Sequence, residues 1–229
     1  NRYFGIHKRL FKPFNLFKGV TRLTKWNGLL LSLHVDDWIQ ENLYFLGEYE
    51  KAELTSIKQF LNHDSIFIDI GANDGLDGLG FALFNKNYNV YSFEANPELV
   101  LKIEENKKKI EKFFKLKLYN YEIFNKAVSD FDGTSNFNIS QHDLCSSLLS
   151  YKFVKTKEKI KTKVITLEKF CLKKRIDNIV YIHIDTQGSD LDVLKGLGSY
   201  RSIVHSGVIE TIIKKEDRMY EGASYYEEV

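Results

Sequence analysis

Two short segments of the chain carry acidic side chains in a pattern typical of sites for nucleoside-containing ligands. Residues 69–75, with the sequence DIGANDG, follow a short apolar segment rich in β-branched residues. Residues 93–97 read FEANP, and Glu94 lies 23 residues after Gly71. A carboxylate at that distance, at the end of the next strand, is placed to accept hydrogen bonds from both hydroxyls of a ribose. The two segments together therefore predict a site for a nucleoside ligand.

The glycines of the first segment discriminate between cofactors. A dinucleotide site needs the pattern Gly-x-Gly-x-x-Gly, but Asn73 and Leu76 occupy its second and third glycine positions. The pattern of a phosphate-binding P-loop is also missing, because no Gly-Lys-Ser/Thr follows. The remaining pattern, Asp-x-Gly-x-x-x-Gly, suits S-adenosylmethionine (SAM), because this cofactor has no pyrophosphate. The two glycines would let the chain bend tightly past the methionine part of SAM. We expect the Asp69 carboxylate to interact with the cationic groups of this cofactor through bridging water.

The spacing of apolar residues predicts the elements that position these segments. β-branched runs predict strands at 65–70, 89–93, within 117–128, and at 163–167, 178–185 and 205–213, with a hairpin arm at 133–139. Helical spacing predicts helices over 48–61, 76–86, 97–110 and 168–174. Asn96 is expected to cap one helix, and Ser189 with Asp192 to form the capping box of another. The alternation predicts an α/β fold with a doubly wound, mostly parallel sheet, in which residues 69–75 follow the central strand.

Composition and charge disfavour several classes of protein. The 229 residues include only two cysteines and carry a formal net charge of +2. No cluster of cysteines and histidines has the spacing of a zinc site, so no metal site is predicted. The low cysteine content, the lack of a visible signal peptide and the lack of an apolar run of roughly 20 residues favour a cytoplasmic protein. The low net charge, without a basic motif rich in glycine and aromatics, predicts no nucleic-acid partner.

Residues 1–47 are expected to form an extension whose first part is basic and aromatic. The first 35 residues contain seven Lys or Arg and no Asp or Glu, interleaved with Phe4, Phe11, Phe14, Phe17 and Trp26. One interpretation is a segment that contacts an anionic membrane or a partner surface. The other is a helical extension whose aromatic side chains pack on the main domain while its lysines face water.

Five motifs occur along the chain in an order that is more specific than any one of them. They are FIDIGANDG at 67–75, YSFEANP at 91–97, NKAVS at 125–129, SSL at 146–148 and IDTQGSDLDVLKG at 184–196. In these motifs the chain resembles the FkbM-type methyltransferases, over about residues 48–213. The resemblance implies a Rossmann-like SAM methyltransferase fold and SAM-dependent O-methylation, often of hydroxyls on sugars, polyketides or glycolipids.

The resemblance also implies roles for individual residues. Ala127, after the third strand, would lie near the adenine, and Asp185 would face the transferred methyl group. Many members have Glu-Gly where residues 186–188 of this chain read TQG, and two more strands are expected after the fifth. We therefore expect residues 48–229 to be a SAM-dependent methyltransferase domain that is truncated at its C-terminus. The predicted cofactor site comprises Asp69, Gly71, Ala72, Asn73, Asp74, Gly75, Glu94, Ala95, Asn96, Ala127 and Asp185.

Methyl transfer to a hydroxyl is helped by a general base, and three residues are candidates for it. Asp185 ends the fourth strand and either accepts the proton or contacts the ammonium group of SAM. His142 lies in a polar segment expected to cross the mouth of the cleft, and histidine titrates in the useful pH range. Glu210 is an acid in an otherwise apolar strand, where a buried acid needs a partner or a ligand. His183 lies deeper and is expected to be a hydrogen-bonded core histidine.

These observations lead to one expected function and two alternatives. We expect a SAM-dependent methyltransferase that methylates a hydroxyl of a glycan or related small molecule. The first alternative is a SAM-fold protein that binds a partner without turnover, through its basic N-terminal segment. The second is an RNA methyltransferase, which is supported by the lysines at positions 155, 157, 159, 161 and 163. The same lysines also fit a solvated edge strand that is protected from aggregation.

Overall fold

The computed structural model describes residues 2–26, 29–35, 41, 44–46, 65–84, 86–140, 145–153 and 155–228. The chain divides into two compact units, Asn1–Gln59 and Phe60–Val229. The boundary predicted between residues 47 and 48 and the helix predicted over 48–61 lie outside the described residues.

The first unit combines a short helical segment with a β-hairpin. Helix α1 (Arg2–Ile6) continues as a π-helical turn (His7–Phe11) and a 3-10 turn (Lys12–Phe14). Strands β1 (Thr21–Trp26) and β2 (Leu29–His34) then pair in antiparallel register. The expectation of a helical extension therefore holds only for the first part of this unit. Asn27-Gly28, the dipeptide between the strands, is a strong hairpin signal that the sequence interpretation overlooked.

The second unit is built on a parallel sheet of five strands in the order β10-β9-β3-β4-β5. The strands that occur between β5 and β9 along the chain form a smaller sheet in the order β6-β8-β7. The elements are β3 (Ile66–Ile70), α2 (Leu76–Phe84), β4 (Asn89–Glu94), α3 (Pro97–Phe114), β5 (Tyr121–Asn125), β6 (Ala127–Val128), β7 (Gly133–Ser140), β8 (Thr156–Ile165), α4 (Leu167–Lys174), β9 (Tyr181–Ile184), α5 (Asp190–Gly196) and β10 (Gly207–Ile209).

The central strand β3 is buried on both faces because helices pack on each side of the sheet. Ile68 and Ile70 point to one face, where they join an apolar cluster with Phe170 of α4 and Val193 of α5. Phe67 points to the opposite face, where its ring centroid lies 4.4 Å from that of Phe81 in α2. The architecture is thus the doubly wound, mostly parallel α/β fold expected from the sequence, with β3 at its centre.

The lysine-rich segment forms most of strand β8. Along this segment β8 pairs with β7 in antiparallel register, and β6 pairs only with its last two residues. The side chains of these lysines are exposed. The residues that alternate with them become partly or fully buried toward the end of the strand. The exposed lysine face predicted for this strand is therefore present.

Two helix starts test the capping predictions with opposite results. Asn96 caps α3 as predicted, since its side chain accepts a hydrogen bond from the Glu98 N–H at 3.0 Å. The capping box predicted for α5 is wrong, because the Ser189 side chain makes no capping bond. Asp190 instead accepts the N–H groups of Thr186 and Gly188, at 2.8 and 3.0 Å. The backbone of Ser189 lies outside the extended region that a capping residue normally adopts.

The last two strands along the chain are shorter than predicted. The strand expected over 178–185 is regular over Tyr181–Ile184, and the one expected over 205–213 over Gly207–Ile209. None of the helices in the described part of the chain is both long enough and apolar enough to cross a membrane.

Candidate functional site

The segment 71–75 is held between the carboxyl ends of the strands on either side of β3. The N–H groups of Gly71 and Ala72 both donate to the carbonyl oxygen of Phe93, at 3.0 Å. On the other side, the N–H of Asp185 donates to the carbonyl oxygen of Ile70 at 2.9 Å. The loop therefore sits at the edge of the sheet where ligands bind in doubly wound folds.

The conformation of this loop explains its glycines. Gly71 has a φ of +84°, and a Cβ at this position would overlap the carbonyl oxygen of Asp185. Gly75 has a φ of +77°, and a Cβ there would lie 2.9 Å from the side chain of Ile103 in α3. Asn73, with a φ of 50°, uses the left-handed region that asparagine tolerates better than most residues. The glycines are required by the chain's own geometry, in addition to any role toward a cofactor.

Glu94 closes the loop from the end of β4. Its carboxylate accepts the N–H of Asn73 at 2.9 Å and that of Asn96 at 2.7 Å, and the residue is 6% exposed. Burial raises the pKa of Glu94 to about 7, although the N–H groups of Asn96 and Asn73 act to lower it. A carboxylate has about four acceptor positions. The two backbone bonds therefore leave acceptor capacity for further donors.

The remaining polar residues of the two motifs hold the starts of two helices. Asp74 accepts the N–H of Leu76 at 3.3 Å, at the start of α2. The carbonyl oxygen of Asp74 accepts a hydrogen bond from the Asn106 side chain at 3.2 Å. Asn96 caps α3 with its side chain while its N–H binds Glu94. The predicted contacts of these residues with a cofactor stay predictions.

Asp69 lies inside the protein, on the face of the sheet that α2 covers. It is 1% exposed, and its Oδ2 accepts the Ser92 hydroxyl at 3.0 Å. Its Oδ1 lies 3.2 Å from Nδ1 of His183. Gly78 lets α2 approach the sheet closely here, since a Cβ at this position would overlap the Ser92 hydroxyl. The described contacts of Asp69 thus join β3 to β4 and β9, and its predicted water-mediated role toward SAM stays a prediction.

His183 is the hydrogen-bonded core histidine that the sequence predicted. Burial acts to lower its pKa, but the hydrogen bond and negative charge of Asp69 outweigh that effect and raise the pKa to about 10. The imidazole is therefore protonated at neutral pH and forms a buried ion pair with Asp69. A permanently protonated imidazole cannot serve as a general base.

Ala95 and Ala127 lie in an apolar cluster next to Glu94. Both are buried with Phe137, Ile139 and Val164, which belong to the smaller sheet. The main chain that follows Glu94 is therefore packed among small, aliphatic and aromatic side chains. Apolar surroundings of this kind are suited to a flat, weakly polar group such as a nucleobase.

A second polar cluster lies at the ends of β9 and β10. The Gln187 Nε2 donates to Oδ1 of Asp185 at 2.6 Å and to Oε2 of Glu210 at 2.7 Å. The Tyr220 hydroxyl donates to Oε1 of the same amide at 2.8 Å. Gln187 has a φ of 58°, and its carbonyl oxygen accepts the Ser147 hydroxyl at 2.8 Å. One amide thus connects the two carboxylates that the sequence singled out.

The three candidate bases lie in different environments or outside the described residues. Asp185 is half-buried at the end of β9, as expected. The prediction that Glu210 is a buried acid within the last strand is wrong, because β10 ends at Ile209 and Glu210 is exposed at the rim. His142 falls within residues 141–144, outside the described residues.

Gln187 is the residue that sequence reasoning missed. The signal was present in the TQG of residues 186–188, which was noted as a departure from the family pattern without a role being assigned. Gln187 also lines a cavity of about 290 Å³ together with Asp190, Glu210 and Tyr220. Asp217 and Met219 contribute to the same cavity, and none of its described lining residues is positively charged. Within the described part of the chain, no group of three or more His, Cys, Asp or Glu side chains could hold a metal ion.

Comparison with known proteins identifies the family. Residues 69–229 match the model of the methyltransferase FkbM domain. The chain belongs to the FkbM methyltransferase family. The match includes both segments of the predicted nucleoside site and the cluster around Gln187.

Individual relatives of this FkbM-family chain are distant. It is 26% identical over 147 residues to the 2-O-methyltransferase NoeI of Sinorhizobium fredii (strain NBRC 101917 / NGR234). That alignment covers 58% of this chain and 57% of NoeI, so the chain spans little more than half the length of this relative.

Two solved structures are similar to the chain at low scores. The methyltransferase FkbM of Methylobacillus flagellatus KT is 14% identical with a TM-score of 0.41, covering 60% of this chain and 30% of that one. The precorrin-6y C5,15-methyltransferase of Geobacter metallireducens GS-15 is 12% identical with a TM-score of 0.38, covering 70% and 60%.

The first prediction concerns the contact between Gly71 and Asp185. Gly71→Ala should destabilise the protein far more than Gly222→Ala. Both glycines have a positive φ, but a Cβ at Gly222 would meet nothing within 4 Å, so that variant carries only the conformational cost of about 1–2 kcal/mol. Urea unfolding measures the difference. Equal destabilisation of the two variants would show that the close approach at Gly71 is unimportant for stability.

The second prediction concerns the buried pair of His183 and Asp69. Folding raises the pKa of His183 from its ordinary 6.5 to about 10, so the pair stabilises the protein fully below the lower value. That stability is lost as the pH rises through the higher value, with a slope of at most about 1.4 kcal/mol per pH unit. The free energy of unfolding should therefore fall between these two pH values.

The control for this prediction is a pair of matched variants. His183→Asn should flatten the fall, because asparagine can still donate to Asp69 but does not titrate. His205→Asn, at an exposed histidine, should leave the fall unchanged. Parallel stability curves for His183→Asn and the unaltered protein would contradict the prediction.

Proposed function

We propose that this chain is a SAM-dependent O-methyltransferase that acts on a hydroxyl of a glycan or a related small molecule. The observation that carries the proposal is the position of two acidic groups on either side of β3. Glu94 ends β4 and Asp185 follows β9, and both are bonded to the loop or strand end at residues 70–73. A cofactor held by the first would be next to an acceptor held near the second.

The residues of the first site fit SAM. The Glu94 carboxylate is buried and has acceptor positions left for two ribose hydroxyls. Ala95, Ala127 and the apolar cluster around them offer apolar surroundings for the adenine. The backbone of residues 71–75 would follow the methionine part. When bound, SAM supplies an electrophilic methyl group, and the protein supplies alignment and the placement of charge.

Asp185 is the proposed proton acceptor. Its Oδ1 is held by the Gln187 amide at 2.6 Å, which leaves Oδ2 as the atom that we expect to take the proton of the acceptor hydroxyl. Gln187 is a positioning residue in this proposal, because its side-chain amide holds the carboxylate and accepts the Tyr220 hydroxyl, while its backbone carbonyl accepts the Ser147 hydroxyl. A positioned general base contributes about 10²–10⁴-fold to the rate.

The cavity at Gln187 supports a polyhydroxylated acceptor. Glu210, Asp217 and the Gln187 amide line it and can accept hydrogen bonds from hydroxyls, while Met219 and Tyr220 supply apolar surface. The described lining residues include three carboxylates and no lysine or arginine. This charge disfavours a nucleic-acid acceptor, because binding of its phosphates needs positive charge. The relative NoeI, named a 2-O-methyltransferase, supports a hydroxyl as the acceptor group.

The proposed compartment is the cytoplasm. Cys145 and Cys171 are both free thiols, which is the usual state of cysteines in a reducing compartment. Labelling the two thiols in freshly lysed cells, with and without prior reduction, tests this assignment. A disulfide to a partner would contradict it.

The third prediction concerns the cofactor. Glu94→Gln should weaken SAM binding about 10-fold or more, since a hydrogen bond to a charged group contributes roughly 1.5–3 kcal/mol. In the unaltered protein the affinity should rise as the pH passes upward through the Glu94 pKa of about 7, because the ionised carboxylate is the better acceptor. Calorimetry with SAM below and above this pH measures both effects.

Two controls separate this role from a structural one. Glu98→Gln changes an exposed glutamate in the first turn of α3 and should leave SAM affinity unchanged at both pH values. NAD, which carries a pyrophosphate, should not bind measurably. If Glu94→Gln folds normally and binds SAM as tightly as the unaltered protein, Glu94 is not part of the cofactor site.

The fourth prediction concerns the acceptor side. Asp185→Asn should lower the rate of methyl transfer at saturating SAM by about 10²–10⁴-fold, because the amide keeps the shape but cannot take a proton. If Asp185 instead contacts the ammonium group of SAM, the variant should bind SAM more weakly and keep its rate at saturation. Measuring affinity by calorimetry and rate with a panel of sugar acceptors distinguishes the two roles.

The control variants test the neighbouring groups. Asp192→Asn, at an aspartate that pairs with Lys195 on α5, should leave both affinity and rate unchanged. Gln187→Glu would place a third carboxylate beside Asp185 and Glu210, so it should shift the pH–rate profile upward. A rate lost in His142→Ala but kept in Asp185→Asn would assign the base to His142 instead.

A further inference from the structure

The N-terminal helical segment exposes an unusual share of the large apolar side chains. Fifteen large hydrophobic side chains are exposed among the described residues, and five of them lie between positions 3 and 16. They are Tyr3 at 75%, Ile6 at 36%, Leu10 at 57%, Phe14 at 72% and Leu16 at 60% exposure. Single exposed apolar residues need no explanation, but a concentration of them in one short segment marks an interaction site.

The opposite side of this segment is occupied within its own unit. The ring of His7 lies 4.6 Å from that of Phe45, and the ring of Phe4 lies 5.5 Å from it. Phe11 packs edge-on against Phe17 at 5.3 Å. His7 also bonds to the buried carboxylate of Glu41 at 3.2 Å. Positions 4, 7 and 11 thus fix the segment in place.

The exposed apolar side chains form a separate stripe. Tyr3, Ile6 and Leu10 are spaced by three and four residues, so they lie on successive turns of the α-helical and π-helical part, and Phe14 follows in the 3-10 turn. This stripe is distinct from the one that packs on Phe45. The packing described for the segment therefore leaves the side chains of Ile6, Leu10 and Phe14 exposed.

The exposed charge near the stripe is mostly basic, and the acidic Glu41 is buried against His7 and Lys12. The first 35 residues contain seven basic and no acidic residues, and five of the basic side chains are exposed, namely Lys8, Arg9, Lys12, Lys18 and Arg22. An apolar stripe flanked by basic side chains is the pattern of helices that lie in the plane of a membrane interface. Nucleic acid would use the positive charge but leave the apolar side chains exposed to water.

We propose that this helical segment binds an anionic lipid surface. Leu10, Phe14 and their neighbours in the stripe enter the boundary between head groups and acyl chains. Lys8, Arg9, Lys18 and Arg22 contact the anionic head groups, whereas Lys12 is paired with the buried Glu41. This proposal does not depend on the proposed methyltransferase activity, because it uses residues of the first unit alone.

The test measures co-sedimentation of the full chain with two kinds of vesicle. We expect binding to vesicles of mixed phosphatidylcholine and phosphatidylglycerol, and at least about 10-fold weaker binding to phosphatidylcholine alone. Raised salt should weaken the binding, because it screens the attraction between the basic side chains and the head groups.

A pair of charge-matched double variants tests the stripe. Leu10→Glu with Phe14→Glu should lower the affinity for the anionic vesicles by at least about 10-fold. Leu172→Glu with Phe153→Glu removes the same residue types at positions that are 68% and 75% exposed, and adds the same charge. This second variant should bind within a few-fold of the unaltered protein.

A second pair tests the charge. Lys8→Gln with Arg9→Gln should weaken binding, whereas Lys159→Gln with Lys161→Gln removes two exposed lysines from β8 and should not. Circular dichroism establishes that each variant is folded. The proposal is overturned if the anionic vesicles are not bound, or if both members of either pair bind alike. Binding of an acidic protein without any binding to lipid would likewise overturn it.

Discussion

The close approach of the main chain at Gly71 to the carbonyl group of Asp185 sets the geometry of the candidate site. A side chain at Gly71 would overlap that carbonyl oxygen, and the positive φ of Gly71 turns the chain away from the sheet immediately after β3. Backbone hydrogen bonds from Gly71 and Ala72 to Phe93 secure the other side. As a result, the loop, the Glu94 carboxylate and the Asp185 side chain share one edge of the sheet. Each proposal about cofactor and acceptor rests on this arrangement.

The two buried acids of β3 and β4 are stabilised in different ways. Asp69 pairs with the protonated His183 and accepts the Ser92 hydroxyl. Glu94 has backbone N–H donors but no cation among its described partners, so burial raises its pKa to about 7. A buried carboxylate without a counter-ion is costly unless it neutralises or gains donors. Ribose hydroxyls would supply such donors, which gives a physical reason for an acid at this position in the proposed cofactor site.

The acceptor side is organised by one neutral amide. Gln187 carries no charge, yet it reaches two carboxylates and one hydroxyl at 2.6 to 2.8 Å. A glutamate at the same position could not donate to both acids, so the amide allows one side chain to bridge Asp185 and Glu210. Tyr220 joins this cluster from the C-terminal part of the chain, which also forms one side of the cavity. The TQG sequence of residues 186–188 is therefore a functional feature of this chain in the proposal.

The sequence by itself determined the parallel sheet, its central strand, the glycine-bearing loop and the position of Glu94, because these depend on local periodicity and on glycine spacing. It also indicated that His183 is a bonded core residue. Only the tertiary structure decided that His183 is bonded to Asp69, 114 residues away, and that Gln187 joins Asp185 to Glu210. The tertiary structure also placed Glu210 at the rim instead of in the interior, and it left the Ser189 side chain without the predicted capping bond. Such pairings depend on which strands become neighbours and on where each strand ends, and neither property is encoded in the local pattern of apolar residues.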